Sequence, residues 1–294
     1  MANIVVDMSP WIYASYFTLY DKISWWMVWG VLNSLLTVID EEHPTTIALI
    51  WGSKYIDKRR MYPQYRTGRS VKIDFDQKQY QRLHELFTAL GVCQLQLDGL
   101  EADQVLAAYV NSLNDCVIIS DDKDFFQLLS DIKFLKGPRR GTWDGRRVMK
   151  EFNLKSPKMF ADWQALTGDR ADNIPRVVPT NRDAALLLNS KGYLNQWAFR
   201  TPPDFANVPS RLAQRISSNL RQLQTNYLLT NLQDERLTES MIIPSKLDLD
   251  FAKDKLQKMQ MNLFLRKFDK FAALSQTNLA VKREMVGLKH VRTG

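Results

Sequence analysis

From Leu100 to Leu129 the chain reads LEADQVLAAYVNSLNDCVIISDDKDFFQLL, with Glu101 and Asp103 near one end and Asp121, Asp122 and Asp124 near the other. Carboxylates gathered in one place repel one another and resist ionisation unless a cation sits among them. A hard divalent ion with oxygen ligands, Mg²⁺ or Mn²⁺, is the economical partner for such a set. Taken singly, each acid has a plainer use: Glu101 and Asp103 suit the N-terminus of a helix, and Asp121 to Asp124 could form a turn.

The elements around these acids decide whether they meet. Cys116 to Ser120 is a short apolar run rich in β-branched residues, which predicts a fully buried strand. If the chain stays extended just past it, Asp122 and Asp124 point the same way. Glu101 opens a helical pattern carried by Val105, Leu106, Ala108, Tyr109 and Leu113. The wider order is strand (Asn3 to Val6), helices (Ser9 to Tyr20, Trp25 to Ile39), strand (Thr46 to Ile50), helix (Gln77 to Leu90), strand (Val92 to Leu97), helix (Ala102 to Leu113) and strand (Cys116 to Ser120), with a fifth apolar run at Ile132 to Leu135. This alternation predicts an α/β fold with a parallel sheet covered on both faces. Ligands of such sheets collect beyond the carboxyl ends of the strands. Asp7, then Asp98 and Glu101, then Asp122 and Asp124 fall at three of the four predicted ends, whereas the second strand runs into Trp51-Gly52-Ser53 without an acid. From about Lys158 the pattern reads as helical to the end, which predicts a boundary near residue 157 and two parts, 1–157 and 158–294. In the second part Asp169 and Asp172 would share a face if their turn is helical.

Composition narrows the partners. A chain of 294 residues with 24% charged and 45% apolar residues is an ordinary globular protein. Its net charge of +8, with acids pooled near the proposed site, suggests a basic surface around an acidic pocket and a polyanionic substrate. Residues 54 to 72 hold seven basic residues against one acid, Asp57. Further basic clusters are Arg139-Arg140 with Arg146-Arg147, and the tail from Arg266. Cys93 and Cys116 lie in apolar runs as small hydrophobes, which fits a reducing, cytoplasmic setting. His43, His84 and His290 make no zinc spacing. No secretory signal opens the chain, and the uncharged run Ile23 to Ile39, with Ser24, Gly30, Asn33, Ser34 and Thr37, reads as a helix against the sheet and not as a membrane span.

Taken together, Asp7, Glu101-Ala102-Asp103, Ser120-Asp121-Asp122-Lys123-Asp124-Phe125 with Gln127-Leu128, and Gly168-Asp169-Arg170-Ala171-Asp172-Asn173-Ile174-Pro175 occur in the order and spacing of the 5′-nucleases. From about Asn3 to Leu232 the chain resembles this family of phage 5′→3′ exonucleases, flap endonucleases, phage RNase H enzymes and the 5′-nuclease domain of bacterial DNA polymerase I. The resemblance implies a PIN-like core, a helical arch over the active site and a helix-hairpin-helix element that grips duplex DNA from the C-terminal part. It implies that Asp7, Glu101, Asp103, Asp122, Asp124, Asp169 and Asp172 hold two Mg²⁺ ions, with Mn²⁺ able to substitute. Arg66 and Arg69 match the basic positions at the foot of the arch and would hold the scissile phosphate. Tyr65 would either stack on a base or pack beneath the arch. The implied activity is 5′→3′ exonuclease or 5′-flap endonuclease action on DNA, or on RNA in an RNA–DNA hybrid, by a cytoplasmic monomer working with replication proteins.

The chain also departs from the pattern. Trp51-Gly52 stands where the family usually has an acid, and Gln104 replaces the fourth residue of Glu-Ala-Asp-Asp. Lower negative charge at that side should raise the metal requirement. After Pro175 the family's phosphate-binding glycines give way to Arg176-Val177-Val178-Pro179-Thr180-Asn181-Arg182, so Arg176 and Arg182 are expected to take over the phosphate contact. The segment Ser70 to Gln79 is short for a threading arch. These departures motivate a second reading, a DNA-binding protein of the same fold with a weakened site. A small PIN-type endoribonuclease is disfavoured because it lacks the segment from Asp169 to Pro175. A HAD-like phosphatase is disfavoured because Met8 and Ser9 follow Asp7.

Overall fold

The computed structural model describes residues 3–53, 57–67 and 75–273. Five parallel strands, β1 (Asn3–Asp7), β2 (Thr46–Ile50), β3 (Cys93–Leu95), β4 (Cys116–Ile119) and β5 (Lys133–Gly137), form the centre of a sheet closed at its edges by antiparallel β6 (Gly141–Trp143) and β7 (Ile242–Ile243). The order is β6-β5-β4-β1-β2-β3-β7, so β1 is central and its neighbours β4 and β2 bring their carboxyl ends beside Asp7. Successive side chains of a strand point to opposite faces. Val5, Ile50 and Ile118 therefore enter one core, and Ile4, Val6, Leu49 and Ile119 the other.

Helices cover both faces. On one side lie α1 (Met8–Leu19), α2 (Trp26–Glu42) and α4 (Gln77–Ala89), preceded by the short α3 (Asp57–Met61). The uncharged run expected to lie as a helix against the sheet is α2, whose Met27, Val28, Val31 and Leu35 are buried in the core of that face. Among the described residues no helix is long and apolar enough to cross a membrane. On the other side α5 (Ala102–Ser112) packs with the 3₁₀ turn Lys123–Leu128 and α7 (Met159–Thr167), and α6 (Gly145–Phe152) leads into it. The chain continues through α8 (Asn181–Lys191), α9 (Leu194–Trp197), α10 (Ser210–Ser218) and α11 (Leu220–Thr230), then through α12 (Leu249–Lys258) and α13 (Asn262–Arg266).

The expectation of helix to the end from Lys158 is corrected. Ile242 and Ile243 form β7, paired to Leu95 and Gln94, because β3 leaves an open edge that would otherwise expose unpaired backbone groups. Phe264, Phe268 and Phe271 then join Leu83 and Phe87 of α4 in one core, so both cores draw residues from either side of residue 157.

Candidate active site

Asp7 ends β1 and caps α1, its Oδ1 accepting from the Ser9 amide at 3.1 Å. Its Oδ2 accepts from the hydroxyl of Ser120, which follows β4, at 3.0 Å. Asp122 caps the 3₁₀ turn by accepting from the Asp124 amide at 3.0 Å. Asp124 in turn accepts from Nε2 of Gln164 on α7 at 2.6 Å. One cavity of about 910 Å³ is lined by Asp7, Asp122 and Asp124 together with Lys123, Asp169 and Asp172. Side chains from β1, the end of β4 and the loop after α7 thus reach a single space.

Electrostatics divides the seven expected carboxylates into two groups. Asp7, Asp122 and Asp124 form no ion pair among the described residues. Burial raises Asp7 from 3.8 to about 7, and the charge of Asp122 adds to it against the hydrogen bonds from Ser120 and Ser9. Burial also raises Asp122, and it lifts Asp124 well above the carboxylate range with help from the charge of Asp122. The remaining four acids already have cations. Lys58 lies 2.7 Å from Glu101 and 3.5 Å from Asp103. Burial works against the Lys58 charge, but Asp103 and Glu101 outweigh it and the net shift is upward. Arg66 donates to Glu101 at 2.6 Å and to Asp172 at 3.1 Å, and Lys123 lies 2.8 Å from Asp169. With acids drawn onto these side chains, no three of them among the described residues stand close enough for a ready-made ion cage.

The loop carrying Asp169 and Asp172 is not helical. Asp169 and Ile174 bond to each other through both backbone pairs, at 2.9 and 2.8 Å, and close a tight loop after Gly168. Gly168 has φ +73°, and a Cβ there would stand 2.5 Å from the Ile174 carbonyl oxygen, so only glycine fits. The loop is stitched to the segment before the expected arch: the Arg66 amide donates to the Asp172 carbonyl at 3.0 Å, and the Asn173 side chain donates to the Gln64 carbonyl at 3.1 Å. Asp172 therefore owes its place to Arg66 and not to a shared helical face.

Tyr65 is 1% exposed, and its hydroxyl donates to Glu101 at 3.1 Å with Asp172 at 3.3 Å. Of the two uses expected for Tyr65, base stacking or packing, its burial fits packing, and the Arg66 guanidinium lies 4.9 Å above the ring. Arg176 and Arg182 are exposed, Arg176 donating to Asn181 at 2.9 Å, and neither lines the cavity. Arg69 and the expected arch from Ser70 lie mostly outside the described residues. The two departures have clear causes. Trp51 is fully buried, stacks on His84 at 3.9 Å and donates from Nε1 to Gln94 at 3.1 Å. Gln104 accepts from the Glu101 amide at 3.2 Å and donates to Glu235 at 2.9 Å, which makes it a helix cap.

Sequence reading did not single out Lys58, Lys123, Ser120 or Gln164. Lys58 stood within the noted basic run and Lys123 within the acidic motif, so both carried a signal. Gln164 carried none, because only the packing of α7 against the 3₁₀ turn brings it to Asp124.

A match to the family described as 5′-3′ exonuclease, N-terminal resolvase-like domain, covers residues 2–154. A 5′-3′ exonuclease of Aquifex aeolicus is 26% identical over 292 residues, which is 94% of this chain and 98% of that protein. The fold is similar to that of the T5 D15 protein co-crystallised with metal ions, with a TM-score of 0.63 at 16% identity over 92% of this chain and 99% of the other. It is equally similar to a T5 D15 flap endonuclease in a pseudo-enzyme-product complex with DNA and metal ions, with a TM-score of 0.63 at 15% identity over 95% and 98% of the two chains. The chain belongs to the 5′-3′ exonuclease family.

Proposed function

We propose that this nuclease hydrolyses phosphodiester bonds at 5′ ends and flaps of DNA, or of RNA in RNA–DNA hybrids, with Mg²⁺ as its ion and Mn²⁺ as a substitute. The observation that carries the reading is the trio Asp7, Asp122 and Asp124, which line one cavity, form no ion pair among the described residues and are reluctant to ionise. Oxygen donors of this kind fit a hard divalent cation, which would take the role the raised proton affinity now gives to protons. When bound, such ions supply activation of the attacking water and stabilisation of the leaving oxygen. Asp7, Asp122 and Asp124 would hold them, with Asp169 and Asp172 at the same cavity reaching them directly or through water.

The chain's own residues do the rest. Arg66 holds Glu101 and Asp172 together and presents its guanidinium toward the acids, where it would offset charge developing on the scissile phosphate. Gln164 and Ser120 orient Asp124 and Asp7 by donating to one oxygen of each. Residues 1–157 would carry the chemistry, and residues 158–294 the grip on duplex DNA. The chain would act as a cytoplasmic monomer alongside replication proteins.

The test is a 5′-labelled flap substrate incubated with purified protein over a Mg²⁺ or Mn²⁺ titration. Metal-dependent release of short 5′ products is expected, and Asp122→Asn or Asp124→Asn should abolish it while leaving DNA binding. Binding without product at every metal concentration would instead favour the second reading, a DNA-binding protein of this fold, for which the buried Trp51 is the specific observation.

A further inference from the structure

Asp121 is the acid of the Ser120 to Asp124 run that the metal reading does not use, and the structure gives its oxygens other work. Its Oδ1 accepts from the backbone amides of Arg139 and Arg140 at 3.1 and 3.2 Å, and its Oδ2 accepts from Nε of Arg139 at 3.0 Å. Nε of Arg140 also donates to the Asp121 carbonyl. Arg139 and Arg140 form the tip of the β5–β6 hairpin, which is fastened on its other side as well: Nε1 of Trp143 donates to the Arg140 carbonyl at 3.1 Å, and Trp143 stacks on Phe126 at 4.3 Å. The fastening is close. A Cβ at Gly137 would collide with the Asp121 carboxylate and the Ser120 carbonyl, and Gly141 turns the tip with φ +67°.

A buried carboxylate could be satisfied by backbone amides alone, so the two arginines at this tip call for an explanation. The Arg139 side chain is 82% exposed although Asp121 is 8% exposed, and both arginines line the same cavity as Asp7, Asp122 and Asp124. The Arg139 guanidinium bonds the carboxylate and the Arg140 guanidinium bonds the Asp121 carbonyl, so two cations stand against one acid and leave the tip net positive at the rim of an acidic site. Guanidinium matches phosphate geometry through paired donors. We propose that the β5–β6 hairpin is a phosphate clamp, in which Arg139 and Arg140 bind the DNA backbone beside the cut and Asp121 is the positioning residue that aims them. This rests on the nuclease reading above and adds the element that seats the substrate.

The experiment compares wild-type protein with Arg139→Ala/Arg140→Ala, Asp121→Ala, Asp121→Asn and, as a charge control on α12, Lys258→Ala. Binding to a fluorescent 5′-flap duplex is measured in Ca²⁺ over a salt series, and cleavage is measured over a Mg²⁺ series. Removing one phosphate-binding cation flattens the slope of log K against log salt by about 0.9, so the double variant should show a slope shallower by about 1.8. Its KM should rise about tenfold, with the Mg²⁺ concentration for half activity unchanged. Asp121→Ala should move in the same direction. Asp121→Asn, which keeps an acceptor for the two amides, should recover most of the wild-type slope, and Lys258→Ala should keep it entirely. A double variant with the wild-type slope and KM would overturn the clamp. So would an Asp121→Ala variant whose only change is a higher Mg²⁺ requirement, because that would make Asp121 an ion ligand. Should the wild type bind the flap and cut nothing, the nuclease reading fails while the salt slopes still decide the clamp.

Discussion

Replacing Asp7 and Asp162 in parallel separates the cost of a buried acid from the use of one. Asp162, on α7, is 2% exposed and, among the described residues, accepts one bond, from the Leu194 amide at 3.3 Å. Burial raises Asp7 and Asp162 alike from 3.8 to about 7. Both acids therefore hold a proton more tightly in the folded chain than in the unfolded one. Between about pH 4 and pH 7 the folded chain keeps protons that the unfolded chain has released, so stability falls as pH rises through that window, and the loss is complete above it. A rise of about three pH units at about 1.36 kcal/mol each sets a ceiling of about 4 kcal/mol for each acid. Asparagine mimics the neutral acid, so in metal-free urea denaturation at about pH 8 either Asp→Asn variant should be the more stable, by up to about 4 kcal/mol. Adding Mg²⁺ should then stabilise the wild type and Asp162→Asn, since an ion replaces the proton at Asp7, and should stabilise Asp7→Asn far less. Stability that is flat from about pH 5 to pH 8 without metal would refute the reasoning, as would undiminished Mg²⁺ stabilisation of Asp7→Asn.

Three further outcomes are expected. Gly52 lies at the carboxyl end of β2, and among the described residues a Cβ there would meet only the Ser9 hydroxyl at an ordinary 3.6 Å, so Gly52→Asp should restore an acid at that strand end and lower the Mg²⁺ needed for half-maximal cleavage about tenfold. Gly168→Ala should force the Asp169–Ile174 bridge apart, lowering the melting temperature and cutting kcat at least about tenfold, because a 1 Å misplacement costs that much or more. Arg66→Ala leaves Glu101 and Asp172 without their shared guanidinium, which at 11% side-chain exposure should destabilise the fold by about 3 kcal/mol and lower kcat more than affinity. Unchanged denaturation midpoints would exclude the structural part of that role.

How far the site could be read beforehand depended on whether local chemistry or packing placed each residue. Asp7, Asp122 and Asp124 were legible because the end of a buried strand positions the residue that follows it, and the β-branched run Cys116–Ile119 announces such a strand. Glu101 and Asp103 were legible as the opening of α5, but their pairing with Lys58 and Arg66 was not, since those cations come from a separate segment. The condition under which Asp169 and Asp172 would share a helical face is not met, because a bridge to Ile174 and the positive φ of Gly168 override the local pattern. β7 was missed because two isoleucines carry no period of their own and become a strand only when β3 offers its edge.

The sequence by itself determined the parallel α/β core, the family and the set of acids, because strand ends and motif spacing are fixed along the chain. Only the tertiary structure decided which acids stand alone and which are already neutralised. It also decided that Tyr65 is interior, that Trp51 is a packing residue and that Asp121 serves the hairpin. Each of those outcomes depends on a distant side chain arriving within about 3 Å, the reach of a hydrogen bond, and no spacing along the chain encodes that distance.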